Sequence, residues 1–493
     1  MGTETVAVLD VGKTNKKISL YDRDWQVVGE ERTSFAQKEF QGVEVEDTEG
    51  LLTWFRASLK KLARDHTVRA IAISAHGATL TLLGADGKLA FPVVSYTWPG
   101  GAAVQDEFYE TFGDPVELHR QTGTPDIGFV NMAKVLFYTK TRMPEVWARC
   151  TRGLFYGPYL AYEISGGMGL EPTFPGNHTY LWDYHRRDWS DVARKLGADK
   201  LFGFPLSHPW DVIGPVKPEV AQECGVPADC MTTLGIHDSN ANFLPYLAKG
   251  NSEFLLISSG TWGVLMRPAD SAHLSDEEIA AKVFFNQDVL ARPVRTSLLT
   301  LGMDYDAFRA FTEHKDQSGA ENVRRVVADR KLFVVPGVIP EATAFPGSPA
   351  RVIDGDKVYP LETLRKEGGK PFSGLGQDYL AALALGLAVA TKKMLGYCRV
   401  KPGTTVFIEG GFAKNEAYCT ALAALCPEQR FCLTAMKEGT AFGAAITGWM
   451  AADKLSLEQV GERFNIETTE VPRHDLGDVA GYEAALHRLT QAG

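Results

Sequence analysis

The sequence predicts an α/β fold of two related lobes facing a shared cleft, and three observations predict it. Apolar runs of strand type alternate with helical segments along the chain. The turns joining the first runs are too short for a crossover helix, so those strands pair as antiparallel hairpins, not as βαβ units. Leu9-Asp10-Val11-Gly12-Lys13-Thr14 and Ile257-Ser258-Ser259-Gly260-Thr261-Trp262 each set a glycine-containing polar turn between two apolar strands. An internal duplication leaves that pattern. The division is expected near residue 245, giving lobes 1–245 and 246–493.

The elements follow in order. Val6 to Leu9 reads as a buried strand, Asp10 to Asn15 as a turn, and Ile18 to Tyr21 as the returning strand. Asp22-Arg23-Asp24 turns the chain again before Gln26-Val27-Val28. Ala70 to Ser74 is a further strand, and Leu80–Leu83 with Leu89–Phe91 flank Asp86-Gly87, a good hairpin turn. Met231 to Ile236, ending at His237-Asp238, opens a second set of similar pieces, continued by Phe254–Ile257 and Trp262–Met266. Thr405–Ile408 ends at Glu409-Gly410-Gly411. Asn415 is placed to cap a helix carrying Tyr418, Ala421, Leu422 and Leu425 at helical spacing.

Composition bounds the function. The chain has 493 residues, enough for two or three domains, with 51 Lys and Arg against 61 Asp and Glu. A formal net charge of −10 argues against a nucleic-acid protein, which would normally carry a basic face. Seven cysteines without a C-x-x-C pair read as reduced thiols in a cytoplasmic enzyme. The first ten residues carry an acid where a signal peptide would carry Lys or Arg, and the longest apolar stretch, Tyr379–Ala390, is short of the ~20 residues a span requires, so neither a signal peptide nor a membrane partner is expected.

Glycine turns between strands expose N–H groups that make nests for phosphate oxygens. In the first turn Gly12 permits close approach, Thr14 and Asn15 supply neutral donors, and Lys13 or Lys17 supplies charge. Asp10 suits a hydrated Mg²⁺ beside those phosphates. A plain hairpin with solvated lysines accounts for the same letters. A P-loop does not: the required earlier glycine is Ala7, and strand, not helix, follows Thr14.

The pattern D-x-G-x-T-x-x-K at Asp10, Gly12, Thr14 and Lys17 resembles the first phosphate motif of the FGGY carbohydrate kinases. Further segments follow in that family's order: Ser74-Ala75-His76-Gly77, Lys134 to Tyr138, Gly235 to Asp238, Ser258 to Trp262, Gly410 to Asn415 and Glu438 to Ala445. The resemblance implies two actin-like ATPase (ribonuclease H-like) lobes around a central cleft. It implies ATP and Mg²⁺ as cofactors and a small-molecule sugar as substrate. Asp238 would be the general base, and Gly12, Lys13, Thr14, Asn15, Lys17, Gly260, Thr261, Gly410, Gly411 and Asn415 would bind the nucleotide and its phosphates. His76, Gly77, Trp98 and His237 would face the sugar, with Asn177 and His178 at the cleft wall.

The residues alone leave bland alternatives open: Asp238 and Asn415 as helix caps, His237 as a packed core histidine, His76 as a turn residue. One departure from the family stands out. Where many members carry an acid and an arginine beside the sugar, Ser95 to Gly101 carries no charge. An uncharged, partly aromatic pocket and the pairing of His-Asp with Ser-Gly-Thr-Trp are similar to the rhamnulokinase and fuculokinase branch. They point to O1 of a 6-deoxy-ketohexose such as L-rhamnulose or L-fuculose. Other ketoses or polyols, a silent sensor of the same fold and a sugar-independent ATPase are the rival readings. The helical patterns at Gln377–Cys398 and Gly481–Gln491 suit packing within the chain or a homodimer contact.

Overall fold

The computed structural model describes residues 2–127, 130–251, 253–315, 318–436 and 438–491. Its first sheet is built on strand β1 (Thr3–Val11), whose Val6, Ala7, Val8 and Leu9 are fully buried, as a strand covered on both faces requires. β1 pairs antiparallel with β2 (Asn15–Tyr21), and β2 with β3 (Val27–Ser34). On its other side β1 runs parallel to β4 (His66–Ala75). β5 (Val212–Pro215), β6 (Met231–Thr233) and β7 (Ile236–His237) complete the sheet, with order β5-β6-β4-β1-β2-β3 and β7 also on β4.

The second sheet repeats the scheme. β8 (Phe254–Ser259) pairs antiparallel with β9 (Gly263–Pro268). β10 (Phe284–Gln287) and β11 (Pro293–Leu299) extend that side, while β12 (Thr405–Gly410), β13 (Arg430–Thr434) and β14 (Thr468–Glu470) extend the other. In both sheets an antiparallel meander leads from the edge to a central strand, and a parallel strand lies beyond it. The duplication expected from the two polar turns is therefore present as topology.

Two expectations are corrected. Met231–His237 is not part of the second unit; it joins the first sheet parallel to β4. The strand is also broken, because Gly235 takes φ +95° against the backbone of Gly157 and splits β6 from β7. Leu80–Leu83 finds its strand partner in Arg152–Phe155, leaving a single bridge from Leu83 to Leu89.

Helix α1 (Asp238–Ala248) leaves the end of β7 and lies between the sheets against α4 (Gly439–Asp453). A shared core closes around them, drawing Val6 and Val8 from the first sheet and Phe254, Leu256 and Phe407 from the second. Glycines set the spacing: a Cβ at Gly443 would lie 1.8 Å from the Ala241 carbonyl oxygen, and one at Gly448 would lie 2.2 Å from the Val6 side chain.

Helix α2 (Gln377–Tyr397) is long and apolar enough to cross a membrane, with mean hydropathy 1.3 over its most apolar window. The apolar stretch Tyr379–Ala390 is thus part of a longer helix than its letters suggested. It is the central helix of the second lobe's core, with 83% of that window buried. Helix α3 (Glu416–Leu425) packs on it, and the C-terminal helix Val479–Gln491 buries Tyr482 and Leu486 in the same core. Both segments considered for a homodimer contact thus pack within the chain.

The glycine contact yields a test with opposite signs at two sites. Gly443→Ala should lower the unfolding free energy by about 1–3 kcal/mol, since backbone blocks the new methyl group. Gly396→Ala, in α2 with open space at its Cβ, should raise it by about 0.5–1 kcal/mol. Urea unfolding midpoints measure both, and equal midpoints would contradict the packing described.

Candidate active site

Strand register assembles the site. Asp10 of β1 and Ile236 of β7 both lie opposite Ser74 of β4, and Val11 and His237 both lie opposite Ala75. The three parallel strands therefore end together, delivering Asp10, His76 and Asp238 to one edge, where ligands bind in open α/β sheets. Ser259 of β8 faces Gly410 of β12 in the same way, so the second polar turn and the Gly410-Gly411 segment share an edge.

Asp238 is the first residue of α1. Its Oδ1 accepts from the Ser239 N–H at 2.6 Å and the Ser239 hydroxyl at 3.3 Å, and lies 3.3 Å from His237 Nε2. Among the described residues no hydrogen bond reaches Oδ2, and 31% of the side chain remains exposed. That free edge borders a cavity of about 320 Å³ bounded also by Asp10, Gly12, Asn15 and Lys17. A smaller cavity of about 190 Å³, with Asn242, Ser258 and Thr440, borders Asp238 as well.

The cavity is crowded with carboxylates. Burial pushes Asp10 up to about 6; Lys17 opposes that, and the charges of Asp238 and Glu438 add to it. Lys17 Nζ stands 3.8 Å from Asp10 and makes a short ion pair with Glu438, the residue before α4. Arg32 reaches the same Glu438 at 2.7 Å. Burial would raise Glu438, but these two cations hold it below the usual carboxylate range. Asp238 is raised by burial, with His76 and Ser239 opposing.

The other expected site residues divide. Thr14 and Asn15 sit exposed at the first turn. Lys13 turns away from it to make a short ion pair with Glu46 and a 2.5 Å hydrogen bond to Ser95 Oγ. Gly260 and Thr261 lie on the exposed turn between β8 and β9, outside the residues bounding either cavity. Gly410 takes φ +87° within 2.0 Å, measured from a would-be Cβ, of the Ser259 carbonyl oxygen, and Gly411 opens a helical turn after it. Asn415 is buried, and its side chain caps α3 by accepting from the Tyr418 N–H at 3.1 Å.

On the other wall His76 is buried, with its ring 5.4 Å from Tyr96. Gly77 leaves room for His237: a Cβ there would lie 2.4 Å from His237 Nε2. His237 is itself enclosed by Phe174, Asn177 and Asn240, and burial pushes it down to about 3, so its ring is neutral. It touches Asp238 from behind and does not border the cavity. His178, with φ +58°, packs on Phe284, and Trp98 meets Tyr138 at 5.1 Å.

The sequence reading missed Arg32, Glu46 and the role of Glu438, because each meets its partner far along the chain. The uncharged reading of the pocket at Ser95–Gly101 also needs correction. Its own residues carry no charge, but the Lys13–Glu46 pair lies directly against Ser95.

The profile described as FGGY family of carbohydrate kinases, N-terminal domain, matches residues 5–244, and that of the C-terminal domain matches residues 251–456. The chain belongs to the FGGY family of carbohydrate kinases. It is similar to an L-fuculokinase of Salmonella typhi, 27% identical over 273 residues, which are 54% of this chain and 57% of that protein. The match thus spans little more than half the length of that relative. A carbohydrate kinase from Novosphingobium aromaticivorans aligns over 100% of both chains at TM-score 0.84 and 25% identity. A Plasmodium falciparum glycerol kinase with ADP shares the fold at TM-score 0.76 and 13% identity, over 99% of this chain and 98% of that one.

FGGY kinases use ATP with Mg²⁺, and the donor set fits that ion. Among the described residues no group of three or more His, Cys, Asp or Glu can cage a metal alone. Mg²⁺ on phosphates needs only one or two carboxylates beside water. Asp10, under-compensated by its single lysine, is the carboxylate that would hold it, with Asp238 nearby.

A pH test follows from Asp10. Its carboxyl rises from an ordinary value near 3.8 to about 6 in the fold, so its ionisation opposes folding, fully above pH 6 and not at all below pH 4. Asp10→Asn should stabilise the ligand-free protein at pH 8 by up to about 3 kcal/mol and leave it unchanged at pH 3.5. Urea unfolding at both pH values decides this; equal stability at pH 8 would refute the crowding.

Proposed function

We propose that this chain is an ATP-dependent kinase that phosphorylates O1 of a 6-deoxy-ketohexose such as L-rhamnulose or L-fuculose, with Asp238 as general base. Residues 1–245 would hold the sugar and the first phosphate turn, and residues 246–493 the nucleotide. One observation carries the reading: Asp238 offers an unpaired oxygen to the cavity that also holds Asp10, Gly12, Asn15 and Lys17. The ADP named with the glycerol kinase neighbour and the similarity to fuculokinases support the two substrates. The aromatic wall of Tyr96, Trp98 and Tyr138 suits a methyl-bearing carbon. Free cysteines suit a reducing cytoplasm, where we place the reaction.

Bound MgATP supplies the γ-phosphoryl group and neutralises charge during its transfer. Asp238 Oδ2 would take the hydroxyl proton as that oxygen bonds to the γ-phosphorus and the bond to the bridging oxygen breaks, releasing ADP, and the helix N-terminus fixes the carboxylate through Ser239. Burial, which raises Asp238, makes it a better proton acceptor while 31% of its side chain stays exposed. Neutral His237, paired with Asn177, lies 3.3 Å from Oδ1 without adding a competing charge. Backbone N–H groups at Gly12–Asn15 and the Lys17 ammonium, now paired with Glu438, would hold the phosphates.

Coupled ADP release with and without a panel of ketoses tests this. Release should depend on sugar and be fastest with a 6-deoxy-ketohexose. Asp238→Asn should lower kcat by about 10²–10⁴-fold with a normal melting curve. Sugar-independent turnover, or near-normal kcat in the variant, would contradict the assignment.

A further inference from the structure

Glu46 is 7% exposed in its side chain and sits at the end of the short strand Val43–Val45. Its backbone N–H donates to the Val93 carbonyl at 2.8 Å, and the Ser95 N–H donates to the Glu44 carbonyl at 2.9 Å, so this strand lies along 93–95. That pairing sets Glu46 opposite the first polar turn, where Lys13 meets its Oε1. Among the described residues no donor reaches Glu46 Oε2.

The Lys13 ammonium has three protons. One goes to Glu46, one to Ser95 Oγ, and the group stands 5.1 Å above the Tyr96 ring. Tyr96 in turn packs on His76. With the ring proton on Nδ1, His76 donates to the Gly77 carbonyl oxygen at 3.2 Å, and the Thr79 hydroxyl lies 3.3 Å from the same nitrogen. His76 Nε2 is then a lone-pair acceptor; it is buried and has no partner. One buried unpartnered acceptor, His76 Nε2, the open Oε2 of Glu46 and one spare cationic donor thus surround Tyr96, next to the carboxylate of Asp238, whose charge acts on both His76 and Tyr96.

A buried polar atom without a partner is costly, and His76 Nε2, grouped around Tyr96 with the open Oε2 of Glu46 and the Lys13 ammonium, suits a ligand that fills it. The ligand must donate, since two of the three groups only accept. A carboxylate or phosphate cannot satisfy Glu46 Oε2 and would be repelled by it. Neighbouring hydroxyls satisfy all three, donating to Glu46 and His76 while accepting from Lys13.

We propose that Glu46, held in place by Lys13, is a specificity-determining residue that binds a hydroxyl of a neutral ketose or polyol away from the reacting oxygen. The assignment rests on the kinase reading and deepens it. It moves Lys13 from the phosphate side to the sugar side of the cleft and excludes sugar acids as good substrates. The deoxy carbon of a 6-deoxy substrate then lies against the aromatic wall, with its ring hydroxyls on this ion pair.

Steady-state kinetics of two variants test it: Glu46→Gln, and Lys13→Met with Glu46→Met together, which leaves no unpaired buried charge. The KM for the best ketose should rise about 10- to 100-fold in the double variant and less in Glu46→Gln, which keeps one acceptor. The KM for MgATP should stay within about twofold. Among single-deoxy analogues of that ketose, one should be poor with the wild type yet equal to the parent sugar with the double variant. The aldonate counterpart should be a poor substrate of the wild type. An unchanged ketose KM in the folded double variant, or a rise confined to MgATP, overturns this assignment and leaves the kinase reading standing. A wild type that neither turns over nor binds any ketose or polyol by calorimetry overturns both.

Discussion

Two carboxylates, Asp10 and Asp238, stand at the ends of strands laced through β4, and the rest of the site is arranged around the cost of keeping them there. Like charges in a partly dry cleft repel, and one lysine at 3.8 Å does not compensate two acids. The fold tolerates this because Ser239 and His237 at Asp238 Oδ1 are neutral, because 31% of the Asp238 side chain stays exposed, and because Lys17 and Arg32 gather Glu438 into the same network. The residual imbalance is what a cation would relieve. Under-compensation at this edge is thus a sign of the ligand.

Helix α1 carries that chemistry into the frame of the molecule. It begins with Asp238, and its Asn242 donates to Ser258 Oγ at 3.2 Å on the second lobe. Tyr246 donates to Glu409 Oε2 at 3.0 Å, one residue before Gly410. Glu409, pushed by burial up to about 7, is held by hydrogen bonds from Tyr246 and Asn242. α4 lies against α1 through Gly443, and Glu438 at its start grips Lys17. Asp238, the second polar turn, the Gly410 segment and the first polar turn are therefore tied to two packed helices. A shift of one lobe on the other changes all of them together.

Much of this was legible locally. The β1–β2–β3 meander follows from short polar turns between apolar runs, and the Asn415 cap from its place before a helical pattern. The duplication followed from two similar turns, and the order of motifs pointed to the family before any coordinates. What was not legible depends on contacts remote in sequence. Lys17 and Glu438 are 421 residues apart, and Lys13 meets Ser95 across 82. Strand identity failed where a glycine with positive φ broke the run at Gly235, and where Leu80–Leu83 had a better partner than its near neighbour. The uncharged look of Ser95–Gly101 misled for the same reason: charge in a pocket belongs to whichever strands converge there.

A crystal structure with a non-hydrolysable ATP analogue, Mg²⁺ and a ketose tests the central claim most directly. The account predicts a sugar hydroxyl within hydrogen-bond distance of Asp238 Oδ2, and the terminal phosphate between that hydroxyl and the Gly12–Asn15 turn, with Lys17 released from Glu438. A sugar bound out of reach of Asp238, or phosphates seated away from the first turn while Lys17 stays on Glu438, would contradict it.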